Sequence, residues 1–356
     1  FGSTTLPNSV DWAVFVAKIN ATGSWVWATD ASGAGDAHGT AISVDSNGNS
    51  YVTGYFEGTQ NFNPFQLSNT VNGYKQLFVA KLDSSGTWTS AITNNGTTGM
   101  VYAEAITTDS NGNVYLAGWF IDAGGTGTNF GNFSLTSIGT DEIFVAKLDS
   151  NNNWLWATSA GTPGADRAFD LALDSNNNVY ITGSIDAGMT ATGLFGNIVV
   201  GGTSTGEDAI VAKMNGSTGT WLWVNVVNVL GNSQTDLGYG IDVDSNGNSY
   251  VTGRSATIAT LCGTSFTGLS SINLFLAKID SNGNIGEILI GAGAWEDSQL
   301  SIAAISSVDL SQFGGPILPG SVSGNSLVLK IWDESVQMEY DASYDINTGS
   351  GTFNGL

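Results

Sequence analysis

Short segments in which apolar and polar residues alternate return along the whole chain. Phe15-Val-Ala-Lys18 is the first of six, and in each a lysine ends a run of aromatic, β-branched or small residues. Alternation with a period of two places successive side chains on opposite faces of a β-strand. The lysines that mark the six segments are Lys18, Lys81, Lys147, Lys213, Lys278 and Lys330. No segment shows the apolar stripe of an amphipathic helix, so the pattern predicts an all-β fold.

Two further motifs return with the same period as the lysine segments. The first is a turn of the form Asp-x-Asn-Gly/Asn-Asn between two strand-like runs; its aspartates are Asp45, Asp109, Asp174 and Asp244. The second is a Trp-x-Trp strand, first seen at Trp25 and Trp27. Asp and Asn side chains close such turns, and glycine takes a positive φ there without strain. Together the motifs predict about four antiparallel strands in each repeat.

About six units of four strands predict a β-propeller with six blades, because one blade cannot bury both of its faces without neighbours. A β-solenoid is the rival architecture. We expect a single domain over residues 1–356, with five blades at about 38–93, 102–159, 167–226, 236–290 and 300–342. Residues 10–30 and 343–356 are expected to form the sixth, closing blade. This blade closes within one molecule or between molecules, and the second case gives a head-to-tail filament.

The units resemble SBBP repeats, a family of bacterial β-propeller repeats. The resemblance is carried by Asp141-Glu-Ile-Phe-Val-Ala-Lys-Leu-Asp-Ser-Asn-Asn-Asn-Trp-Leu-Trp-Ala157, then Asp166, then Asp174-Ser-Asn-Asn-Asn-Val-Tyr-Ile-Thr-Gly183. It covers about residues 1–290 and fades over 291–356. The resemblance implies a propeller of an exported bacterial protein. The family name implies seven blades, which is the alternative to six.

Charge excludes two classes of partner. The chain has 9 Lys and Arg against 31 Asp and Glu, a net charge of -22, so phosphates and anionic lipids repel it. No stretch approaches the roughly 18 apolar residues of a membrane span, and we predict no membrane insertion. His38 and Cys262 are the single histidine and cysteine. Because the usual catalytic side chains are so scarce, we expect no enzyme.

The repeated lysines are predicted to form structural ion pairs. A lysine on a strand face that meets the next blade needs a carboxylate, since a buried unpaired ammonium is costly. The available partners are Asp11, Asp141, Asp208 and the turn aspartates Asp45, Asp109, Asp174 and Asp244. The same turns offer oxygen ligands that suit Ca²⁺, but their glycine stands fourth rather than sixth as in an EF-hand. We therefore expect no cofactor and no metal site, with calcium kept as the alternative.

Four tryptophans fall outside the Trp-x-Trp pattern and are the candidates for stacking on sugar rings: Trp12, Trp119, Trp295 and Trp332. The sequence as a whole predicts a non-catalytic extracellular protein with a structural or adhesive role at a cell surface. Its expected partners are surface proteins or other copies of itself, and assembly into a layer or filament is one form of that role. A carbohydrate-binding module and a polysaccharide-acting enzyme are the alternatives.

Overall fold

The computed structural model describes residues 1–7, 11–69, 73–94, 99–122, 127–186, 192–201, 206–227, 235–255, 258–261, 264–267, 273–290, 329–333 and 338–342. The chain divides into two compact units, Phe1–Ile288 and Leu289–Leu356, where the sequence predicts one domain. Across the described residues every helix or strand element is a β-strand, and neighbouring strands of each sheet run antiparallel. The all-β prediction is confirmed.

Four sheets of the first unit are built alike, with four antiparallel strands in chain order. They are β3 (Ala37–Val44), β4 (Ser50–Phe56), β7 (Gln76–Leu82) and β8 (Trp88–Thr93); β9 (Met100–Thr108), β10 (Val114–Ile121), β13 (Glu142–Leu148) and β14 (Trp154–Ala160); β15 (Arg167–Leu173), β16 (Val179–Ile185), β19 (Asp208–Asn215) and β20 (Thr220–Val227); and β21 (Leu237–Val243), β22 (Ser249–Ser255), β25 (Asn273–Ile279) and β26 (Ile285–Ile290). Each sheet falls close to one of the predicted blades.

A short hairpin is inserted between the second and third strands of each sheet. The hairpins are β5 (Thr59–Phe62) with β6 (Phe65–Ser68), β11 (Thr128–Phe130) with β12 (Phe133–Leu135), β17 (Thr192–Phe195) with β18 (Ile198–Gly201), and β23 (Ile258–Leu261) with β24 (Thr264–Thr267). Phe130 meets Trp154 edge-on with ring centroids 5.0 Å apart, and Phe195 meets Trp221 in the same way at 4.9 Å. The first tryptophan of Trp-x-Trp therefore holds the hairpin against the fourth strand.

The first strands β3, β9, β15 and β21 lie next to one another in chain order. Side chains tie them together: the Thr40 hydroxyl donates to the Ala103 carbonyl oxygen at 2.6 Å. The Ile241 N–H donates to Asp170 Oδ2 at 2.8 Å. Buried apolar residues from successive sheets share common cores. This arrangement of antiparallel sheets is consistent with a propeller-like repeat fold.

The first described strands make only half of a sheet of this kind. Strand β1 (Val14–Ile19) pairs with β2 (Trp25–Ala34), and Lys18 faces Trp27 as Lys147 faces Trp156 in β13 and β14. Strands β1 and β2 thus correspond to third and fourth strands, and the far end of β2 pairs with β5. The segment 343–356, expected to complete this blade, lies outside the described residues. Of the blade expected at 300–342, the structure describes the hairpin β27 (Leu329–Asp333) and β28 (Met338–Ala342).

Candidate functional site

The repeated lysine of each third strand lies over a tyrosine of the second strand. Lys213 faces Tyr180 in the strand register, and its Nζ is 4.7 Å from the centre of the ring. The equivalent distances are 4.8 Å for Lys81 over Tyr51, 4.6 Å for Lys147 over Tyr115 and 5.2 Å for Lys278 over Tyr250. An ammonium within about 6 Å of a ring centre is attracted to its negative face. The sequence prediction missed these tyrosines, although they return with the same period as the lysines.

The turn aspartates act on the same lysines. Nζ of Lys213 lies 3.5 Å from Oδ2 of Asp174, and both side chains are buried. Burial raises the pKa of Asp45, but hydrogen bonds from Asn49 and Asn47 and, to a smaller extent, the charge of Lys81 outweigh burial and lower the pKa below its ordinary value. Burial lowers the pKa of Lys147, and the charge of Asp109 opposes that shift. At Lys213, tyrosine and aspartate together hold the ammonium, whereas the sequence assigned this role to aspartate alone.

The two remaining lysines of the prediction differ from these four. Lys18 in β1 is exposed, and no ion pair with a described residue is recorded for it. Lys330 lies in β27, where only the backbone is described. The expected ion pair of Lys330 therefore stays a prediction.

Each turn aspartate is engaged by its own turn. Oδ1 of Asp174 accepts from the backbone N–H groups of Asn176 and Asn178 at 2.9 Å. Its Oδ2 accepts from Asn178 Nδ2 at 2.8 Å and from the Tyr180 hydroxyl at 3.3 Å. The same four bonds recur at Asp45, Asp109 and Asp244. These donors occupy the lone pairs that a calcium ion would need, which favours a plain hairpin turn.

The second tryptophan of Trp-x-Trp reaches the next repeat. Nε1 of Trp156 donates to the Gly216 carbonyl oxygen at 3.2 Å, and Nζ of Lys147 donates to the same oxygen at 3.1 Å. Trp223 and Lys213 share the Ser281 carbonyl in the same way, each at 3.2 Å. One carbonyl in the turn between the third and fourth strands of a repeat therefore accepts both bonds from the repeat before it.

A glycine of that turn lies against the tryptophan ring. Gly219 has a φ of +72°, and a Cβ added to it would come within 2.9 Å of the Trp156 ring. A Cβ added to Gly283 would likewise come within 2.9 Å of the Trp223 ring. Only glycine combines a positive φ with so close an approach. Lysine, tyrosine, tryptophan and glycine thus form a repeated joint between neighbouring sheets.

Two of the four candidate ligand tryptophans lie in one row of side chains that contact one another. The row runs along the strand ends opposite the aspartate turns, and its members are Trp12, His38, Tyr55, Tyr102, Trp119 and Arg167. Trp119 is held between Tyr102 and Arg167, with ring centroids 4.0 Å from Tyr102, and its Nε1 donates to Glu104 Oε1 at 3.2 Å. The Trp119 ring is therefore engaged in packing against Tyr102 and Arg167.

Trp12 ends the row and is 70% exposed, so it is the candidate with a ring surface left for a ligand. Trp332 lies in β27, where side chains are not described, and Trp295 lies outside the described residues. Within the part of the chain that the structure describes, no group of three or more His, Cys, Asp and Glu could hold a metal ion.

Comparison with known sequences agrees with the repeat architecture. The β-propeller repeat model SBBP matches residues 155–188 and 230–257, which confirms the resemblance at these two segments. The matched segments contain the turns of Asp174 and Asp244 and the strands β16 and β22 that carry the lysine-binding tyrosines. A search of curated proteins found no significant match. Over the described residues, no helix is long and apolar enough to cross a membrane.

Proposed function

We propose that the chain is a non-catalytic extracellular β-propeller protein with a structural or adhesive role at a cell surface. The observation that supports this proposal is that the repeated polar side chains form hydrogen bonds within the repeat array. Lys147 and Trp156 both donate hydrogen bonds to one carbonyl oxygen of the next repeat. The aspartates accept hydrogen bonds from their own turns. A repeat whose charged and aromatic residues join it to its neighbours is suited to a rigid scaffold that presents its surface to partners.

The proposed scaffold is a ring of six blades. Four complete sheets, the β1–β2 pair and the hairpin of β27 and β28 supply strands for six repeats. The partners of the ring are surface proteins or other copies of the chain. Nucleic acid is not among them, because a net charge of -22 repels a phosphate backbone.

Adhesion is tested with the full chain coupled to beads that are applied to bacterial and host cell surfaces. The proposal predicts that coated beads are retained and that free protein competes for retention. Beads that carry an unrelated folded protein of similar net charge are the control. The same sample is incubated with a panel of polysaccharides, and no turnover is expected. Turnover that is abolished by changing one carboxylate would contradict the non-catalytic role.

Carbohydrate binding is the second candidate, because Trp12 offers an exposed ring at the end of the aromatic row. A flat apolar ring face suits the C–H face of a pyranose, and such platforms combine aromatic rings with a few polar groups. A glycan array probed with the native chain and with Trp12→Ala tests it. The exposed leucine variant Leu155→Ala is the matched control. Glycan binding that is lost in Trp12→Ala but kept in Leu155→Ala would identify the chain as a carbohydrate-binding module.

A further inference from the structure

Two buried carboxyl groups lie where the second complete sheet (β9, β10, β13, β14) meets the third. Glu142 begins β13, and Asp166 directly precedes β15 of the third sheet. Asp166 is completely buried, and Glu142 is 3% exposed. A Cβ added to Gly161 would lie 3.1 Å from each of the two carboxyl carbons, so these carbons are separated by at most twice that distance. The fold thus brings two acids together away from solvent.

No cation neutralises this pair among the described residues. Neither Asp166 nor Glu142 takes part in an ion pair there. The guanidinium of Arg167 binds Asp141 and lies 3.9 Å from Glu207 instead. The charged residues on the surrounding segments are Arg167 and five acids, Asp122, Asp141, Asp186, Glu207 and Asp208. Ionising both carboxyl groups would therefore place like charges side by side in a buried site, which is costly.

The hydroxyl group of Thr162 shows where a proton fits. Its Oγ1 lies 2.9 Å from Asp166 Oδ1 and 2.9 Å from the Asp186 carbonyl oxygen, and it accepts from the Gly164 N–H at 3.1 Å. Because a hydroxyl group has one proton to donate, an ionised Asp166 leaves one of these two oxygens without it. A protonated Asp166 donates to Thr162, and Thr162 then donates to Asp186. Only the neutral acid completes all three hydrogen bonds.

Glu142 lies in the same arrangement. Ser137 Oγ accepts from the Gly139 N–H at 3.1 Å, and it lies 2.9 Å from the Gly139 carbonyl oxygen and 3.3 Å from Glu142 Oε2. The one proton of this hydroxyl group again faces two acceptors. A protonated Glu142 supplies the missing proton as a protonated Asp166 does.

The preceding joint, between the first and second complete sheets, has neutral side chains at the same two positions. Val101 takes the place of Asp166: the N–H of each donates to the carbonyl oxygen of the residue just before the third strand. Gln76 begins β7 as Glu142 begins β13, and its amide donates to the Gly99 carbonyl oxygen at 3.1 Å. A joint of the same build therefore forms without acids, and the fold itself does not require two carboxyl groups there.

The acid pair lies at the base of the hairpin β17–β18. Gly161, which touches both carboxyl groups, exchanges two backbone hydrogen bonds with Leu194 of β17, at 2.8 and 3.2 Å. Thr162 is completely buried, and a Cβ on Gly193 of β17 would come within 2.7 Å of its Cγ2. Any displacement of the linker 161–166 therefore disturbs the contact that holds the hairpin.

We propose that Asp166 and Glu142 form a proton-operated latch that holds the hairpin β17–β18 against the linker 161–166. With both carboxyl groups protonated, Thr162 and Ser137 complete their hydrogen bonds and the latch is closed. Loss of the protons to water leaves like charges side by side, and the linker opens so that water reaches them. The latch is a property of the fold and does not depend on the adhesive role. It makes the position of one inserted hairpin depend on pH.

Hydrogen exchange of the Leu194 amide, which bonds to Gly161, measures the opening. Burial raises the pKa of both acids, that of Asp166 to about 7. Because the closed latch binds the proton more tightly than the open one, the closed form is stabilised at low pH, and this stabilisation is lost as the pH rises to 7. We expect the protection of Leu194, corrected for the intrinsic effect of pH on exchange, to fall about tenfold for each pH unit between pH 5 and pH 7. The amides of β11, whose hairpin lies at the joint without acids, should keep constant protection.

Neutral variants of the full chain separate the latch from general effects of pH. Asp166→Asn supplies an amide that donates to Thr162 without a titrating proton, so the protection of Leu194 should become independent of pH. Glu142→Gln introduces the side chain of the preceding joint and should reduce the pH dependence. Asp170 of β15 is another acid whose pKa is raised by burial. The matched control Asp170→Asn should leave the pH dependence at Leu194 unchanged.

Carbon-13 NMR of the carboxyl groups in the native chain gives a second test that needs no variant. The Asp166 carboxyl should titrate above about pH 6, well above an ordinary aspartate. Titration of both acids near pH 4, protection of Leu194 that does not change with pH, or a pH dependence that survives Asp166→Asn would each overturn the proposal. Protection at pH 8 that millimolar calcium restores would show that a cation holds the pair in place of protons, and it would overturn the proposal as well.

Discussion

Lys213 and Tyr180 face each other on neighbouring strands, with the lysine Nζ 4.7 Å above the centre of the tyrosine ring. The same ammonium lies 3.5 Å from Asp174 and donates to the Ser281 carbonyl of the next repeat. One lysine is therefore bound both by its own sheet and by the following one. Lys147 repeats this relationship with Tyr115 and Gly216, so the same contact joins each of these two repeats to the one that follows it.

Replacing the lysine should destabilise the protein only where the joint exists. Lys213→Met removes a buried ion pair, a ring contact and a hydrogen bond, and we expect it to lower the free energy of unfolding by about 1–3 kcal/mol. Lys18→Met changes an exposed lysine and should cost less than about 0.5 kcal/mol. Urea unfolding of both variants measures the difference. Equal effects would show that the lysine contact contributes nothing to stability.

The glycine beneath the tryptophan should tolerate no side chain. Gly86 has a φ of +87°, and a Cβ on it would lie 2.6 Å from the Trp27 ring. Gly23 has a similar φ of +78° with no atom within 4 Å of an added Cβ. Gly23→Ala should therefore cost only the backbone strain, about 1 kcal/mol.

Gly86→Ala adds a clash with the ring and should cost roughly 3 kcal/mol in total. Guanidinium unfolding measures the free energy of unfolding of both variants, which alter glycines of similar φ. If both variants lose the same stability, Trp27 does not pack on the neighbouring turn.

Asp166 should make the protein less stable as the pH rises towards neutrality. Burial raises the pKa of Asp166 from 3.8 to about 7, although bonds from Thr162 and Asp186 oppose the shift. A folded-state pKa above the unfolded value means that the folded protein binds the proton more tightly. The stability this provides is complete below about pH 4 and is lost as the pH rises through 7.

Asp166→Asn removes this titration, so the urea midpoint of the variant should fall less between pH 5 and pH 8 than that of the native chain. The pH window lies above the ordinary pKa of the other aspartates. An unchanged slope would mean that Asp166 titrates at its ordinary pKa.

Asp174 should give the opposite pH dependence: it should stabilise the protein at neutral pH and less so in acid. Burial raises its pKa, but bonds from Asn178 and Asn176 and the charge of Lys213 outweigh burial and hold the pKa below 3.8. The stability it provides is present above the ordinary pKa and is lost as the pH falls through the folded-state pKa. Asp174→Asn should cost about 1–3 kcal/mol at pH 7. In acid-unfolding curves the difference in stability between the variant and the native chain should shrink well below pH 4. A stability difference that does not change with pH would contradict the lowered pKa of Asp174.

Calcium should not change the stability of the described turns. The carboxylate of Asp45 already accepts four hydrogen bonds from its own hairpin, two at each oxygen, and the equivalent aspartates do the same. We expect the Tm to be the same in calcium and in EDTA, since a ligand raises Tm only if it binds the folded state. A Tm that rises with calcium concentration would show that a site exists and would support the calcium alternative.

The sequence predicted the strands and turns because both have local signals. The turn at Asp45 is closed by bonds within five residues, and alternating residues identify the strand that ends in Lys81. The contact of Lys81 with Tyr51 was missed because it depends on strand register, which no single motif contains. Alignment of the four repeats would have shown that this tyrosine returns with the lysine.

The sequence could not separate packing tryptophans from ligand candidates. Trp12 and Trp119 both fall outside the Trp-x-Trp pattern, but Trp119 lies between Tyr102 and Arg167 while Trp12 is largely exposed. Arg167 is far from Trp119 in the sequence, and only the packing of successive sheets brings them together. Long-range contacts of this kind leave no local pattern to be recognised.

The most direct test of the joint between repeats is an experimental density map of the full chain. We predict repeats arranged side by side around an axis, with the rings of Trp27, Trp156 and Trp223 lying on the turn of the repeat that follows each. Density that shows a linear stack of repeats, or those three rings away from the next turn, would contradict it.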